Sequence, residues 1–382
     1  MVRNLLSIIN FKGLSSDLPE WKKCGRILFL GLVVPWLLII GLAEWISWQA
    51  GDWLSLSQAA ALQTKKPDLI WYKERVQNFA RFKMARVAID RPDILILGQC
   101  RTQFFRSAMF RPYSAYNMST TCYMIPAFTD LLRHLPAGYN PKVIIFTCDF
   151  WYFSRTYSAS MGNYFQNFTT SWSDKLDDLR DILVQLPKRP SILLMGLNKP
   201  HGYPTLGLDA YLSSGGFRKD GSTQWGSQGN NQDSLTSDPV ANLGGSCMGS
   251  TEMDQFKEFV SEARARGITL VGVQLPVYSD ELKYMDEHRT DFADLPDFND
   301  HVKSGYFEKL GVLFFDYLQF PGYSDNPHFF LDVLHPNESL SLPVLSAMAS
   351  DPRFLAVLPK LDAAQLKENL AQDTPAQGHI GL

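Results

Sequence analysis

The stretch DILILGQCRT, residues 93–102, decides the predicted fold, because it joins a buried strand to a turn that carries reactive side chains. Its apolar half lies between Pro92 and Gly98, which is typical of a short buried strand. Three more runs are short and apolar in the same way, and a fourth, SAYNMS, is a weaker strand candidate. In chain order, the other predicted strands are SAYNMS at 114–119, KVIIFTCDF at 142–150, ITLVGVQLP at 268–276 and VLFFDY at 312–317.

Helical patterns separate these strands. Residues 120–136 suit a crossover helix, residues 251–266 suit a helix that ends before Gly267, and residues 280–310 are predicted to be largely helical. Strands that are apolar throughout and alternate with helices are typical of a parallel sheet covered on both faces. We therefore predict the α/β class, with functional residues at the carboxyl ends of the strands.

An uncharged apolar run, ILFLGLVVPWLLIIGLA, occupies residues 27–43. With its flanking residues it reaches position 48 and approaches the roughly 20 residues needed to cross a bilayer. Basic residues precede the run, and Trp45 and Trp48 follow it like an interfacial aromatic belt. A cleaved signal peptide, with Ala50-Gly51 as its cleavage site, stays open as the alternative.

The positive-inside rule sets the expected orientation of this helix. Lys22, Lys23 and Arg26 lie just before the apolar run. We expect a single-pass protein of the inner (cytoplasmic) membrane, with the N-terminus in the cytoplasm and the folded domain in the periplasm or outside. The predicted segments are a cytoplasmic N-terminus at 1–26, a transmembrane helix at 27–48, a helical stalk at 49–90, an α/β domain at 91–350 with an insertion at 151–250, and a C-terminal tail at 351–382.

Composition narrows the class of function. The chain has 382 residues, a net charge of −3, 45% hydrophobic and 20% charged residues, so it has ordinary globular usage and no electrostatic signal for nucleic acid. Its five cysteines form no CxxC pair and no zinc-ligand spacing, so we expect no structural metal and no cofactor. A disulfide between Cys122 and Cys148 stays open, because their distance is not defined by the sequence.

Two short segments carry the candidate chemistry. Gly98-Gln99-Cys100-Arg101 ends the first predicted strand, where a turn can present a thiol. Asp332-Val333-Leu334-His335 lies late in the chain, and its three-residue offset can place the carboxylate against one imidazole nitrogen. The other nitrogen would then face a nucleophile, which predicts a catalytic Cys100, His335 and Asp332. Structural interpretations remain: Cys100 as a small buried side chain, and the Asp–His pair as a loop cap.

With these segments the sequence resembles the SGNH (GDSL-like) hydrolase superfamily, and more closely its membrane-anchored members that work beside membrane-bound O-acyltransferases on cell-envelope polysaccharides. The resemblance rests on ILILGQCRT, Tyr116-Asn117, FRKDGS at 217–222, VGVQLPVYS at 271–279 and FLDVLHPNE at 330–338. It implies a flavodoxin-like three-layer parallel sheet, a nucleophile after the first strand, and a DxxH pair near the C-terminus.

The chain departs from that family pattern at three places. Cys100 stands where the family has Ser, Gln99 replaces the usual Asp, and Asp149 follows the strand whose end normally offers an oxyanion-hole Asn. A carboxylate cannot donate a hydrogen bond unless it is protonated. Asn117 is the alternative oxyanion donor, while Arg101 and Asp149 are candidates for substrate binding; structural ion pairs are open for both.

The resemblance implies an extracytoplasmic acyltransferase that acetylates a polysaccharide hydroxyl through a Cys100 thioester, with a membrane-bound O-acyltransferase as partner. Two other functions remain open at this stage. The first is a tethered esterase or deacetylase, in which water accepts the acyl group. The second is a non-catalytic scaffold that binds polysaccharide or the partner acyltransferase.

Overall fold

The structure is a computed structural model. It describes residues 27–73, 79–161, 204–213, 215–224, 243–245 and 247–372, with the isolated positions 22, 25, 183, 184 and 188.

The described strands form two sheets. The strands are β1 (Ile70–Trp71), β2 (Ile94–Gly98), β3 (Ala115–Ser119), β4 (Val143–Thr147), β5 (Thr205–Leu206), β6 (Gly216–Phe217), β7 (Thr223–Gln224), β8 (Thr269–Gln274) and β9 (Val312–Asp316).

The larger sheet has the order β3-β2-β4-β8-β9, and all its neighbouring strands run parallel. Counted within this sheet, the order is 2-1-3-4-5, which is the order of flavodoxin-like folds. Its strands are the five predicted from sequence, shortened by one to four residues, and the predicted α/β class is confirmed. The order reverses between β3 and β4, so the crevice at the carboxyl end of β2 is the expected ligand position.

Helices surround the sheet and precede it. They are α1 (Val34–Ala50), α2 (Leu56–Lys65), α3 (Phe79–Asp90), α4 (Ile125–Arg133), α5 (Arg155–Met161), α6 (Leu208–Ser213), α7 (Ser250–Ala265), α8 (Ser279–Glu287), α9 (Asp294–Lys303), α10 (Tyr306–Lys309), α11 (Glu338–Met348), α12 (Pro352–Val357) and α13 (Ala363–Gln372).

A separate apolar core lies on each face of the large sheet. Leu95, Ile144 and Phe146 point to one face, where they pack with aromatic and aliphatic side chains of α4 and α7. Ile96 and Ile145 point to the other face, where α11, α12 and α13 cover them. The sheet is therefore the middle of three layers, and alternate residues of each strand face opposite helical layers.

The N-terminal apolar segment is a single helix from Phe29 to Ala50, long and apolar enough to span a membrane. It begins with one π-helical turn, Phe29–Val33, continues as α1, and ends at Gly51 in the left-handed conformation. Most of its large side chains are exposed; among them are Phe29, Leu32, Trp36, Leu37 and Leu38.

The C-terminal end of this helix packs against the folded domain. Ala43 and Ile46 are fully buried and lie in one cluster with Leu208 of α6. The carbonyl of Ala50 accepts a hydrogen bond of 2.8 Å from the Gly207 amide. The carboxylate of Asp52 accepts from the Leu208 amide at the start of α6. The helix is thus continuous with the domain and fixed to it.

The smaller sheet adds a strand to the segment at 49–90, which was predicted to be a helical stalk. That segment does contain the helices α2 and α3, but β1 lies between them and pairs with β5 and β6. The turn between β6 and β7 also reaches the large sheet, since the carbonyl of Asp220 accepts from the Asn117 amide at 2.7 Å. The segment therefore belongs to the body of the protein, and long-range pairing of two-residue strands explains why sequence patterning missed it.

The predicted C-terminal tail at 351–382 is wrong for residues 352–372. These residues form α12 and α13, and Phe354, Leu358 and Leu366 are buried in the core beneath the sheet. The sequence after Asp373, for which we expect a disordered end, lies outside the described residues. So does most of the predicted insertion at 151–250, where the segment SDKLDDLRDILVQL at 173–186 predicts a helix.

Candidate active site

The turn after β2 presents the side chain of Cys100. Gly98 ends the strand at φ +150°, and a Cβ at this position would lie 2.3 Å from the hydroxyl of Thr147 on β4. A short 3-10 turn, Cys100–Thr102, then begins. The Thr102 hydroxyl donates to the Gln99 carbonyl at 3.0 Å and closes this turn. Only glycine fits a backbone that bends so sharply against a neighbouring strand.

Asn117, the predicted oxyanion donor, instead supports this turn from β3. Its side-chain amide donates to the carbonyls of Thr102 at 2.7 Å and Phe105 at 2.9 Å. Its side-chain oxygen accepts from the Ser119 amide at 2.8 Å. Because both N–H groups are used and the side chain is buried, Asn117 positions the turn and does not face a substrate.

The loop after the 3-10 turn Pro327–Phe329 carries Asp332 and His335. One oxygen of Asp332 accepts from the backbone amides of Leu334 at 2.9 Å and His335 at 2.8 Å. The Leu331 amide donates to the His335 carbonyl at 2.8 Å, which closes the loop between its two ends. These bonds hold the loop in the conformation that places the Asp332 carboxylate against the His335 imidazole, as the three-residue spacing predicted.

The structure brings Cys100, His335 and Asp332 together. The Cys100 sulfur lies 2.8 Å from Nε2 of His335 across 235 residues of chain, and Nδ1 of His335 lies 2.8 Å and 2.9 Å from the two carboxylate oxygens of Asp332. The imidazole therefore has one nitrogen on the carboxylate and the other on the thiol, which is the geometry of a nucleophile–base–acid triad.

The charges in this triad favour a thiolate and an imidazolium. Burial alone would raise the pKa of the Cys100 thiol, but His335 and Arg101 outweigh burial and lower that pKa below its ordinary value. Burial would lower the pKa of His335, yet Cys100 and Asp332 raise it to about 10. Burial opposes ionisation of Asp332 as well, but hydrogen bonds from His335 and the loop amides hold its pKa below the usual value. A thiolate is the reactive form of cysteine.

The site is open to solvent on one side. The side chains of His335 and Asp332 are 26% and 36% exposed, and Cys100 is half-buried. This opening lies at the carboxyl end of β2, where the strand order reverses. A reactant can therefore approach the sulfur from outside the domain.

Arg101 and Asp149, the predicted substrate-binding pair, are buried behind the triad. Arg101 is 1% exposed and Asp149 is 0% exposed. The guanidinium contacts the Asp149 carboxylate at 2.5 Å and packs over the Trp151 ring at 4.9 Å. Burial raises the pKa of Asp149 above its ordinary value although Arg101 opposes the shift. Neither group faces the opening, so Arg101 and Asp149 form an internal ion pair and the geometry does not support a direct contact with substrate.

Sequence reasoning missed Tyr157, a side chain that bonds to the nucleophile turn. The side-chain amide of Gln99 donates to the hydroxyl of Tyr157, which lies on α5. Tyr157 is 3% exposed, and burial raises the pKa of its hydroxyl further above neutral pH. The first residues of the insertion thus contribute to the site. The aromatic run at 150–153 gave a signal for buried structure, but nothing in its spacing indicated Tyr157.

A second missed group lies just after the histidine. Glu338 is fully buried at the start of α11 and accepts from Arg218 at 2.9 Å and from Arg106 at 3.3 Å. Arg218 belongs to the β6–β7 hairpin, and Arg106 follows the nucleophile turn. One carboxylate therefore connects three segments around the site.

Cys122 and Cys148 are both free thiols, so the open possibility of a disulfide is not realised. Both side chains lie in the apolar core on the α4 and α7 face of the sheet. Burial raises the pKa of Cys122 to about 12 and the pKa of Cys148 well above its ordinary value. These thiols are unreactive, in contrast to Cys100.

Taken together, these contacts place a Cys–His–Asp arrangement at the carboxyl end of β2 in a parallel α/β sheet. Comparison of the chain with protein-family models, with curated proteins and with solved structures finds no match.

Proposed function

We propose that this protein is a membrane-anchored acyltransferase that carries an acyl group on Cys100. The observation that carries the proposal is the 2.8 Å contact between the Cys100 sulfur and Nε2 of His335, with Asp332 on the other imidazole nitrogen. A thiolate paired with an imidazolium attacks carbonyl carbon readily at neutral pH. An acyl thioester is also a good donor to a hydroxyl group.

The proposed cycle has two balanced steps. In the first, the Cys100 thiolate bonds to the acyl carbon, and the leaving group departs with the proton from Nε2 of His335. In the second, an acceptor hydroxyl gives its proton to His335 and bonds to the acyl carbon, and the C–S bond breaks to restore the thiolate. Asp332 stabilises the imidazolium that is present at the beginning and end of the cycle.

We assign the oxyanion to the backbone amide of Cys100. This amide begins the short helical turn, and the first amides of a helix have no partner within it. Asn117 and Asp149 are unsuited to the role, because one is fully bonded to the turn and the other is paired with Arg101. Backbone N–H groups at this position act on charge that develops only in the transition state.

The anchor and the resemblance to membrane-anchored SGNH proteins support a location on the outer side of the inner membrane. The basic residues before the apolar helix favour a cytoplasmic N-terminus. We propose a cell-envelope or secreted polysaccharide as acceptor, acetyl as the acyl group, and a membrane-bound O-acyltransferase as the partner that supplies it.

Intact-mass measurement tests the covalent step. The purified protein and its Cys100→Ala and His335→Ala variants are exposed to an activated acetyl donor. We expect a hydroxylamine-sensitive adduct of one acetyl group on wild type, mapped to Cys100, and no adduct at that position in Cys100→Ala. His335→Ala should acylate much more slowly. If wild type forms no adduct, and cells carrying Cys100→Ala keep full function, the domain is a non-catalytic scaffold.

A tethered esterase is the second candidate, because the exposed edges of His335 and Asp332 admit water to the site. Turnover of p-nitrophenyl acetate separates the two activities. An esterase releases acetate steadily without an acceptor. A transferase gives a burst of one equivalent and then a slow phase that a polysaccharide acceptor accelerates.

A further inference from the structure

The guanidinium of Arg101 has more partners than an ion pair requires. Nε donates to the carbonyl of Leu334 at 3.1 Å, and one terminal nitrogen donates to the carbonyls of Leu275 and Pro276, each at 2.8 Å. The other terminal nitrogen contacts Asp149. Four of the five guanidinium N–H groups are therefore accounted for by acceptors that are themselves held in place.

These acceptors come from three parts of the chain that meet at the site. Asp149 follows β4, Leu275 and Pro276 follow β8, and Leu334 belongs to the loop of the catalytic acid and base. Arg101 itself is the residue after the nucleophile. The planar guanidinium of Arg101 therefore links the turn that carries the Cys100 sulfur to the loop that carries the His335 imidazole.

The bond to Leu334 is the contact that matters for chemistry. Leu334 immediately precedes His335, and the Leu334 amide donates to Asp332 in the same loop. A shift of this loop changes the 2.8 Å separation of Nε2 from the Cys100 sulfur directly. Displacements of about 1 Å in reacting groups can reduce rates by roughly 100-fold.

We propose that Arg101 is the positioning residue of the site, which holds His335 in line with Cys100 by tying the nucleophile turn to the base loop. It does not contact the substrate, since it is buried behind the triad. The role needs arginine, because a lysine ammonium cannot present the planar fork that reaches Leu334, Leu275 and Asp149 at once. The inference rests on the proposed function in that it assumes a reactive Cys100–His335 pair.

The test measures the rate of iodoacetamide alkylation of Cys100 against pH, followed by peptide mass spectrometry so that other cysteines do not interfere. Arg101→Lys keeps the positive charge and loses the fork. We expect the apparent pKa of Cys100 to rise, and alkylation at neutral pH to slow roughly tenfold. Where turnover is measurable, kcat should fall about 100-fold with KM little changed.

Arg133→Lys is the matched control. Arg133 is 53% exposed and pairs with Glu258 on the surface, so its replacement should leave the pH profile of Cys100 unmoved. A folded Arg101→Lys protein with the wild-type profile and turnover would overturn the proposal. A purely structural role for Arg101 would lower the melting temperature and leave the profile of the folded fraction unchanged, which also overturns it.

If Arg101→Lys does not fold, the same alkylation measurement on Asp149→Asn tests the proposal. This variant keeps the shape of the side chain and weakens one anchor of the guanidinium, so we expect a smaller upward shift of the Cys100 pKa in the same direction. An unshifted profile in folded Asp149→Asn would then count against the proposal. Failure of the proposed function has a different signature: wild-type Cys100 would alkylate at low pH, as a paired thiolate does, and yet form no acetyl adduct.

Discussion

At the scale of single residues, the surroundings of a cysteine determine how readily its thiol ionises. Cys100 is half-buried and paired with His335, whereas Cys122 and Cys148 are enclosed in an apolar core that raises their pKa. The surroundings thus lower the pKa of the thiol at Cys100 and raise it at Cys122 and Cys148.

His335→Ala should make Cys100 an ordinary buried thiol. The imidazole lowers the pKa of Cys100 and burial raises it, so removal of the imidazole moves the pKa upward. The thiolate fraction at pH 7 then falls, and alkylation by iodoacetamide should slow by at least about tenfold. His134→Ala, which alters an exposed histidine bonded to its own helix, is the control and should leave the rate unchanged. An unaltered pH profile in His335→Ala would refute the ion pair.

Asp332→Asn should lower the pKa of His335 from its value of about 10, because the carboxylate stabilises the imidazolium. The Asn side chain keeps the shape of Asp332, but its amide can hydrogen-bond the His335 imidazole in the wrong tautomer. In Ser–His–Asp enzymes the same change reduces turnover by about 10⁴-fold. We expect a reduction of the same order in acyl transfer. NMR titration of the imidazole gives the pKa, and a value near that of wild type would contradict this account.

The identity of the triad was predictable from sequence, and its supporting residues were not. Cys100, Asp332 and His335 follow from their positions at a strand end and in a DxxH segment. Asn117 and Arg101 were singled out as polar groups near those positions, but the side on which a buried side chain points depends on tertiary packing. Their hydrogen bonds run to backbone carbonyls, which leave no pattern in the sequence.

At the scale of elements, the bend after β2 depends on the absence of a side chain. Gly98→Ala should destabilise the fold by about 3 kcal/mol, since the added Cβ meets Thr147 and the backbone has a positive φ. Gly138→Ala is the matched control: Gly138 also has positive φ, at 68°, but nothing lies within 4 Å of its Cβ position. Backbone strain alone should then give a loss of about 1 kcal/mol. Equal midpoints in chemical denaturation would show that the contact with Thr147 is unimportant.

Glu338 should be among the most sensitive charged residues outside the triad. Glu338→Gln leaves Arg218 and Arg106 facing an uncharged group in a buried position, so we expect a loss of about 3 kcal/mol in the free energy of unfolding. Glu258→Gln changes an ion pair in which both side chains are more than half exposed, and should change stability by less than about 0.5 kcal/mol. Similar unfolding midpoints for the two variants would argue against a role for the buried network.

The elements that sequence patterning identified are those that bury continuous apolar runs. All five strands of the large sheet belong to this class, as do α4 and α7. The strands of the small sheet are only two residues long, so no periodicity exists to detect them. The helices α12 and α13 follow the last predicted strand. Their apolar residues cover the face of the large sheet that carries Ile96 and Ile145, and the sequence alone does not show that this face needs a cover.

At the scale of the whole molecule, the exposed helix from Phe29 to Ala50 is long and apolar enough to span a membrane, and we propose that it is the anchor. Leu38→Arg places a charge near the middle of the apolar segment, which disfavours insertion by about 2.5–3.5 kcal/mol. We expect a smaller share of the protein in the washed membrane fraction. Leu38→Ala serves as the control and should remain membrane-bound. Equal partitioning of both variants would indicate that the helix is not the anchor.

The packing of Ala43 and Ile46 against Leu208 limits how far Cys100 can move relative to the helix. An anchored enzyme on a flexible linker can sample acceptors over a range of heights, and lengthening the linker widens that range. In this protein the last turns of the helix are part of the folded body, so in a membrane-embedded chain the working height of Cys100 above the lipid is set by the fold. If the protein is the anchored acyltransferase that we propose, its acceptor must come to that height, and transfer is confined to a thin layer parallel to the bilayer.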